Sequence, residues 1–288
     1  LSTYIESIIL GIVEGLTEFL PVSSTAHLRI TEALMQIPMD DAYWKMYTIV
    51  IQFGAILALM LLFLERIVEF FRNFPEGDDG RHTWSNHPIT LTFAAFVCTA
   101  IPALLLRKWS EHNLSSLTAM ALALLIGGVV MWLVDWRASR YDSDINDVEK
   151  MSLGQGIWIG LCQTFSAVFP GVSRSMSTIA AGQIAGLDRP AALEFSFLLS
   201  IPTMVAATGW DFLKEVHGHS TGASAHVTMN GERWIVLLIG LVVSFIVAYV
   251  VVEWFLYWVR KHGFTIFAIY RIVLGGALLL WGARLITT

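Results

Sequence analysis

Charge is what this sequence has least of. Of its 288 residues only 14% are Asp, Glu, Lys or Arg, where a soluble domain carries about a quarter. That shortage excludes an ordinary water-soluble domain. Cysteine is almost missing: Cys98 and Cys162 both lie in apolar runs, which excludes a disulfide framework and a cysteine metal site. Pro-, Gly- or Ser-rich linkers long enough to separate domains are absent, so one domain over 1–288 is expected. The opening stretch LSTYIESIILGIVEGLTEFL lacks a basic region and carries Glu6, Glu14 and Glu18 instead, so a cleavable signal peptide is not expected.

What is present is apolar. Hydrophobic residues make up 56% of the chain, with a mean hydropathy of +0.64. They gather in six blocks: Thr48–Leu64, Ile89–Leu106, Leu117–Val134, Phe195–Phe212, Trp234–Val259 and Phe264–Ile286. Each is long enough, or nearly so, to cross the hydrocarbon core of a bilayer. The expected fold is an all-α polytopic membrane protein. The net charge of −5 says little about partners in such a chain; the lipid bilayer is one, and nucleic acid is not expected.

A repeat organises the blocks. GIVEGLTEFLPVSS (Gly11–Ser24) aligns with GLCQTFSAVFPGVS (Gly160–Ser173) at an offset of 149, matching Gly11 to Gly160, Pro21 to Pro170 and Ser24 to Ser173. Glu14 falls on Gln163. The same offset carries the first three apolar blocks onto the last three. The halves run over approximately 1–136 and 150–288, each opening with an interrupted pair of short segments, 5–20 with 22–36 and 153–169 with 173–187. Proline breaks each pair. A helix-loop-helix that enters the bilayer and returns fits them, because irregular backbone is tolerated only where protein or a cavity surrounds it. Three spans per half invert the second half, and inverted repeats with broken helices place a polar site near mid-membrane. Basic residues of the loops favour, by a slender margin, a cytoplasmic face around Arg66, Arg137 and Arg260, which puts both termini on the other side.

The chemistry concentrates in the two breaks. Glu14 and Glu18 stack on one helical face, at a cost of roughly 2.5–3.5 kcal/mol each inside a membrane. Such a pair binds a hard divalent cation or lets one carboxylate act as a general base; a frayed interfacial helix is the plainer reading. Ser23, Ser24 and Thr25 open the next segment, where serine is usually a helix cap, and His27 lies one turn on. In the second break Gly171, Ser173, Arg174, Ser175 and Thr178 surround another helix start. Backbone N–H groups, hydroxyls and a guanidinium together make an anion site. A phosphate suits Arg174 better than a structural pair with Glu14 or Glu18, because its oxygens accept a bidentate fork and several hydroxyls at once. If the two breaks meet, carboxylates and a phosphate cradle share one cavity suited to metal-assisted attack on phosphorus. Arg271, inside the last block, reads as a partner of Glu253 or as a residue approaching the cavity. The pairs Gly127-Gly128 and Gly275-Gly276 permit close helix contacts and leave room for a homodimer.

EGLTEFLPVSSTAH and PGVSRSMST closely resemble the signatures of the bacterial undecaprenyl-diphosphate phosphatase family, a Glu/Gln-x-x-x-Glu pair and Pro-Gly-x-Ser-Arg-Ser-x-x-Thr. EFSFLLSIP (Glu194–Pro202) and FAIYRI (Phe267–Ile272) are similar to the family too, so the likeness spans most of the chain. The resemblance implies a multi-pass enzyme of the bacterial inner membrane that removes the terminal phosphate of a C55 polyprenyl diphosphate, regenerating the lipid carrier of cell-wall synthesis. It also implies a link to bacitracin resistance, a divalent cation (Mg2+ or Ca2+) at Glu14 and Glu18, and a site facing the periplasm. Carried over by motif position, Ser24 and His27 are the catalytic hydroxyl and imidazole, and Ser173 and Arg174 hold the diphosphate. Ser23, Thr25, Gly171, Ser175 and Thr178 complete the expected binding set. The chain departs from the family pattern at Ala26 and at Met176-Ser177, where Gly and Gly-Ala are common. A secondary transporter or flippase for a phosphorylated polyprenyl lipid is the alternative of another class, since inverted repeats with broken helices are transporter architecture.

Overall fold

A computed structural model describes residues 2–38, 41–76, 83–113, 116–140, 143, 145–216 and 229–285. Among them the chain folds into α1 (Thr3–Thr17), α2 (Ser24–Leu34), α3 (Ala42–Leu62), α4 (Leu64–Arg72), α5 (Pro88–Asn113), α6 (Leu117–Ala138), α7 (Leu153–Val168), α8 (Arg174–Ile184), α9 (Arg189–Val216), α10 (Gly231–His262) and α11 (Thr265–Leu285). Several starts carry the chemistry that fixes them. Asp41 accepts from the amides of Tyr43 and Trp44 at α3, Asn230 from Arg233 at α10, and Ser152 with Gln155 forms a reciprocal capping box at α7. Each satisfies amides that a helix leaves without partners. Helix α10 ends at Gly263, with φ +69, after Arg260, Lys261 and His262. The charges of Arg260 and Lys261 complement the negative end of its dipole.

Among the described residues five helices are long and apolar enough to cross a membrane: α3, residues Pro88–Arg107 of α5, α6, Arg189–Leu213 of α9, and α10. The sixth apolar block corresponds to α11, whose shorter apolar stretch is Thr265–Leu280; Ile286 lies outside the described residues. The two interrupted pairs are helical hairpins, α1–α2 and α7–α8.

Packing crosses between the halves. Helix α1 runs along α10, α7 along α5, α6 along α11, and α3 lies against both α9 and α10. Close approach sets these seams: a Cβ on Gly15 would lie 2.7 Å from the Cβ of Val247. The glycine pairs of α6 and α11 are spent the same way. Gly127 and Gly128 face Arg271 and Ile272, and Gly275 faces Ala121 and Leu125, whereas Gly276 meets open space. Three of the four residues that left room for a second copy therefore serve contacts within the chain.

Polarity is distributed inside out. Leu105, Leu280 and Val273 are 78%, 75% and 64% exposed, while Glu14, Arg271 and Asp135 are fully buried. Such an apolar exterior is what hydrocarbon requires, and the buried charges mark where function is sought. Edge-on contacts of Phe19 and Phe63 with Phe197, and of Phe255 with Phe267, fill the core beneath the first hairpin turn.

Candidate active site

The turn after α1 and the turn after α7 meet. Pro21 and Pro170 end the helical ladders, because proline lacks an amide hydrogen and restricts the residue before it. Gly171 turns with φ +95, and a Cβ there would lie 2.6 Å from the carbonyl oxygen of Met120. Gly171→Ala is therefore expected to lose about 1–3 kcal/mol of stability from backbone strain alone, seen as a lower unfolding midpoint in detergent. Ser23, which opens α2, has φ +75 without being glycine. Strain of that kind persists only where the surroundings over-determine it, and it clusters at functional sites.

Between the turns is a cavity of about 240 Å³ lined by Glu18, Ser23, Ser24, Thr25, Gly171, Ser173 and Arg174, together with Gln52, Thr99, Gln163, Ser166, Thr203 and Thr208. Ser24 Oγ donates to Glu18 Oε2 at 2.6 Å. Arg174 Nη2 donates to Glu18 Oε1 at 3.4 Å, and the guanidinium carbon lies 5.7 Å from the Phe19 ring centroid. Arg174 Nε and Nη1 are buried without partners. Glu18 thus joins the hydroxyl of one hairpin to the cation of the other. The pair expected as the plain alternative exists, yet it uses one edge of the guanidinium and leaves two donors unspent. Unmet donors on a buried charge are costly, so the cavity is electrostatically prepared for an anion.

The remaining expected residues divide. Glu14, one turn before Glu18, is fully buried, and both carboxylate oxygens lack a hydrogen-bond partner; it does not line the cavity. His27 is also away from it. Its Nδ1 meets the carbonyl of Ser23 at 2.7 Å and its Nε2 the hydroxyl of Tyr270 at 2.7 Å. A carbonyl only accepts, so Nδ1 carries the proton and Nε2 accepts from tyrosine. Ser175 donates to Leu20 O at 3.0 Å, tying the two turns together. Thr178 lies against Ser196 at 2.6 Å, outside the cavity. Of the serines at helix starts, Ser173 caps, accepting from Met176 N at 3.3 Å. Ser23 makes no side-chain cap bond, and Ser24 is committed to Glu18. Ala26, Met176 and Ser177, the departures from the family pattern, do not line the cavity. Ala26 packs with Met120 and Leu124, and Met176 joins the main core.

Sequence reasoning missed the floor of the site. Thr99 Oγ1 donates to Gly160 O at 2.7 Å and Thr203 Oγ1 to Leu199 O at 2.7 Å, so both hydroxyls face Gln163 as acceptors, at 3.2 and 3.0 Å from its Nε2. That network fixes the amide orientation and leaves Gln163 Oε1 buried and unpartnered. Amides and hydroxyls inside apolar runs, such as Gln52 within Thr48–Leu64, were the available signal.

With this geometry in place, known proteins give it a family. A family model described as "Bacitracin resistance protein BacA" matches residues 7–277. The chain belongs to that family. A relative from Koribacter versatilis, named undecaprenyl-diphosphatase, is 58% identical over 287 residues, 99% of this chain and 100% of the relative. Proteins of the same name from Caldanaerobacter subterraneus subsp. tengcongensis and Aquifex aeolicus are 39% and 38% identical, each over 94% of this chain and 93% and 95% of their own lengths. The BacA family match encloses both hairpin turns and every residue of the cavity.

Proposed function

We propose that the chain hydrolyses undecaprenyl diphosphate to the monophosphate and inorganic phosphate, recycling the lipid carrier of cell-wall synthesis, and that it does so in the cavity between the hairpin turns. One observation carries the reading: a hydroxyl bonded to a carboxylate at 2.6 Å shares a cavity with a buried guanidinium holding two unspent donors.

The terminal phosphate accepts from Arg174 Nε and Nη1 and sits at the starts of α2 and α8, where helix N-termini favour negative charge. Ser24 Oγ attacks its phosphorus while Glu18 Oε2 takes the hydroxyl proton. The new O–P bond forms as the phosphoanhydride P–O bond breaks, and the polyprenyl monophosphate leaves with the bridging oxygen, which takes the proton from Glu18 and restores the carboxylate. Water, deprotonated by that carboxylate, then attacks the phosphoserine, and Ser24 Oγ takes the proton back from Glu18 as phosphate is released. Arg174 stabilises the charge that develops on the transferred group. His27, with both ring nitrogens engaged, is not the nucleophile here; it supports Ser23 and the start of α2.

A divalent cation, Mg2+ or Ca2+, fits this donor set. Among the described residues no three His, Cys, Asp or Glu side chains gather, so an all-protein cage is not offered. Glu14, fully buried beside Glu18, instead suits a cation held by one or two carboxylates together with substrate phosphates. Bound there, it would neutralise phosphate charge and relieve repulsion between the carboxylates.

For the lipid, an apolar groove of about 670 Å³ runs between α6, α7 and α8 and shares Pro170 with the cavity. It is the natural seat for the polyprenyl chain, a continuous hydrocarbon path leading to a polar head site. The halves 1–136 and 150–288 form an inverted repeat of six spans, α11 being the last, with two re-entrant hairpins. The site faces the periplasm from the inner membrane. Purified protein given a C55 polyprenyl diphosphate in detergent is expected to release phosphate, with a loss of roughly a hundredfold in EDTA and recovery on adding Mg2+ or Ca2+. Lipid binding without phosphate release would establish a carrier instead.

A further inference from the structure

Arg271 is a fully buried cation in the last apolar helix, and Glu253, its expected partner, is exposed elsewhere on α10. Its guanidinium donates to three backbone carbonyls instead. Nη1 meets Pro21 O at 3.2 Å, while Nη2 meets Gly171 O at 3.1 Å and Ala123 O at 3.3 Å. Pro21 lies in the turn that leads to Ser24, and Gly171 in the turn that leads to Arg174. One rigid, planar group therefore bonds both catalytic turns, and it does not line the cavity. The preceding residue, Tyr270, adds a second hold on the first hairpin through His27. A charge buried at this depth is expensive. An apolar side chain would fill the same space more cheaply, but it would leave the turn carbonyls of Pro21 and Gly171 without this donor and the turns free to move relative to each other. Lysine offers a point charge in place of the fork that reaches both turns.

We infer that Arg271 is a positioning residue that sets the separation between Ser24 and Arg174 by bonding both hairpin turns from beneath, without touching substrate. The inference rests on the phosphatase site proposed above. Displacing reacting groups by about 1 Å costs on the order of a hundredfold in rate, whereas binding of the lipid tail is untouched. Arg271→Met is therefore expected to lower kcat about a hundredfold with KM within threefold, in protein that elutes as a single detergent-solubilised species. Arg271→Lys, which keeps a donor near the carbonyls, is expected to recover at least a tenth of the parent kcat. Should Arg271→Met not fold, Gly127→Ala carries the test: its added methyl would lie 2.5 Å from Arg271 Nη2, pushing the guanidinium aside without removing it. A tenfold fall in kcat is then the supporting result, whatever KM does, because Gly127 also lines the groove assigned to the lipid chain. A kcat within threefold of parent in the folded Met variant, a loss carried by KM alone, or an unaffected Gly127→Ala where it is the variant tested, overturns the inference. Arg174→Ala and Ser24→Ala assayed alongside separate the two levels. If they keep turnover, the site itself is misplaced; if they lose it while the Arg271 variants do not, only the positioning role fails.

Discussion

Arg174→Ala is expected to reduce phosphate release by about 10³-fold or more, the scale on which a guanidinium stabilises a transferring phosphoryl group. The argument rests on how Arg174 is spent in the free protein. Its ionic contact to Glu18 is long at 3.4 Å, and two of its donors are buried without partners. The substitution removes those donors and the cation paired with Glu18. Arg174→Lys separates the two effects. It keeps the charge near Glu18 but not a planar fork able to grip two phosphate oxygens, so it should lose about 10²-fold, more in kcat than in KM. Steady-state kinetics on purified variants with matched unfolding midpoints give the answer. Turnover within tenfold of parent in Arg174→Ala would remove the guanidinium from the chemistry.

How much of this was readable beforehand depends on which physical signal each residue carried. The hairpins were legible because a proline interrupts helical periodicity twice at a fixed offset, Pro21 and Pro170, and the structure closes α1 and α7 just ahead of them. The approach of Glu18 to Arg174 followed from electrostatics: two hairpins each burying a charge gain most by meeting. Three details were not readable, because they depend on rotamers and on neighbours distant in sequence. His27 turns toward Tyr270, 243 residues away. Ser175 and Thr178, both inside a phosphate-binding pattern, are consumed by Leu20 O and Ser196. Arg271 finds its partners in backbone carbonyls, a possibility that a search for a complementary carboxylate overlooks. Hydroxyls are the hardest to assign, since one proton decides whether a serine caps, bridges or reacts, and only the acceptor within 3 Å distinguishes these.

That single proton underlies the other large effect expected. Ser24→Ala should lower turnover about 10⁴-fold, and Glu18→Gln should fall by a comparable factor, because nucleophile and base act as a unit. The 2.6 Å bond from Ser24 Oγ to Glu18 Oε2 places the proton where it must go at the moment of attack, and glutamine, neutral at that position, cannot take it. If the two residues form one device, the double variant should be scarcely worse than either single one. Independent contributions would instead multiply to about 10⁸-fold. Rapid quenching with substrate labelled on its terminal phosphate adds a direct reading, in which the parent protein carries acid-stable label and Ser24→Ala carries none. A Ser24→Ala variant retaining turnover within tenfold of parent would move the attack to water. Glu18 would then serve as its base and Arg174 would keep its place against the phosphate, because neither assignment depends on which oxygen reaches phosphorus first.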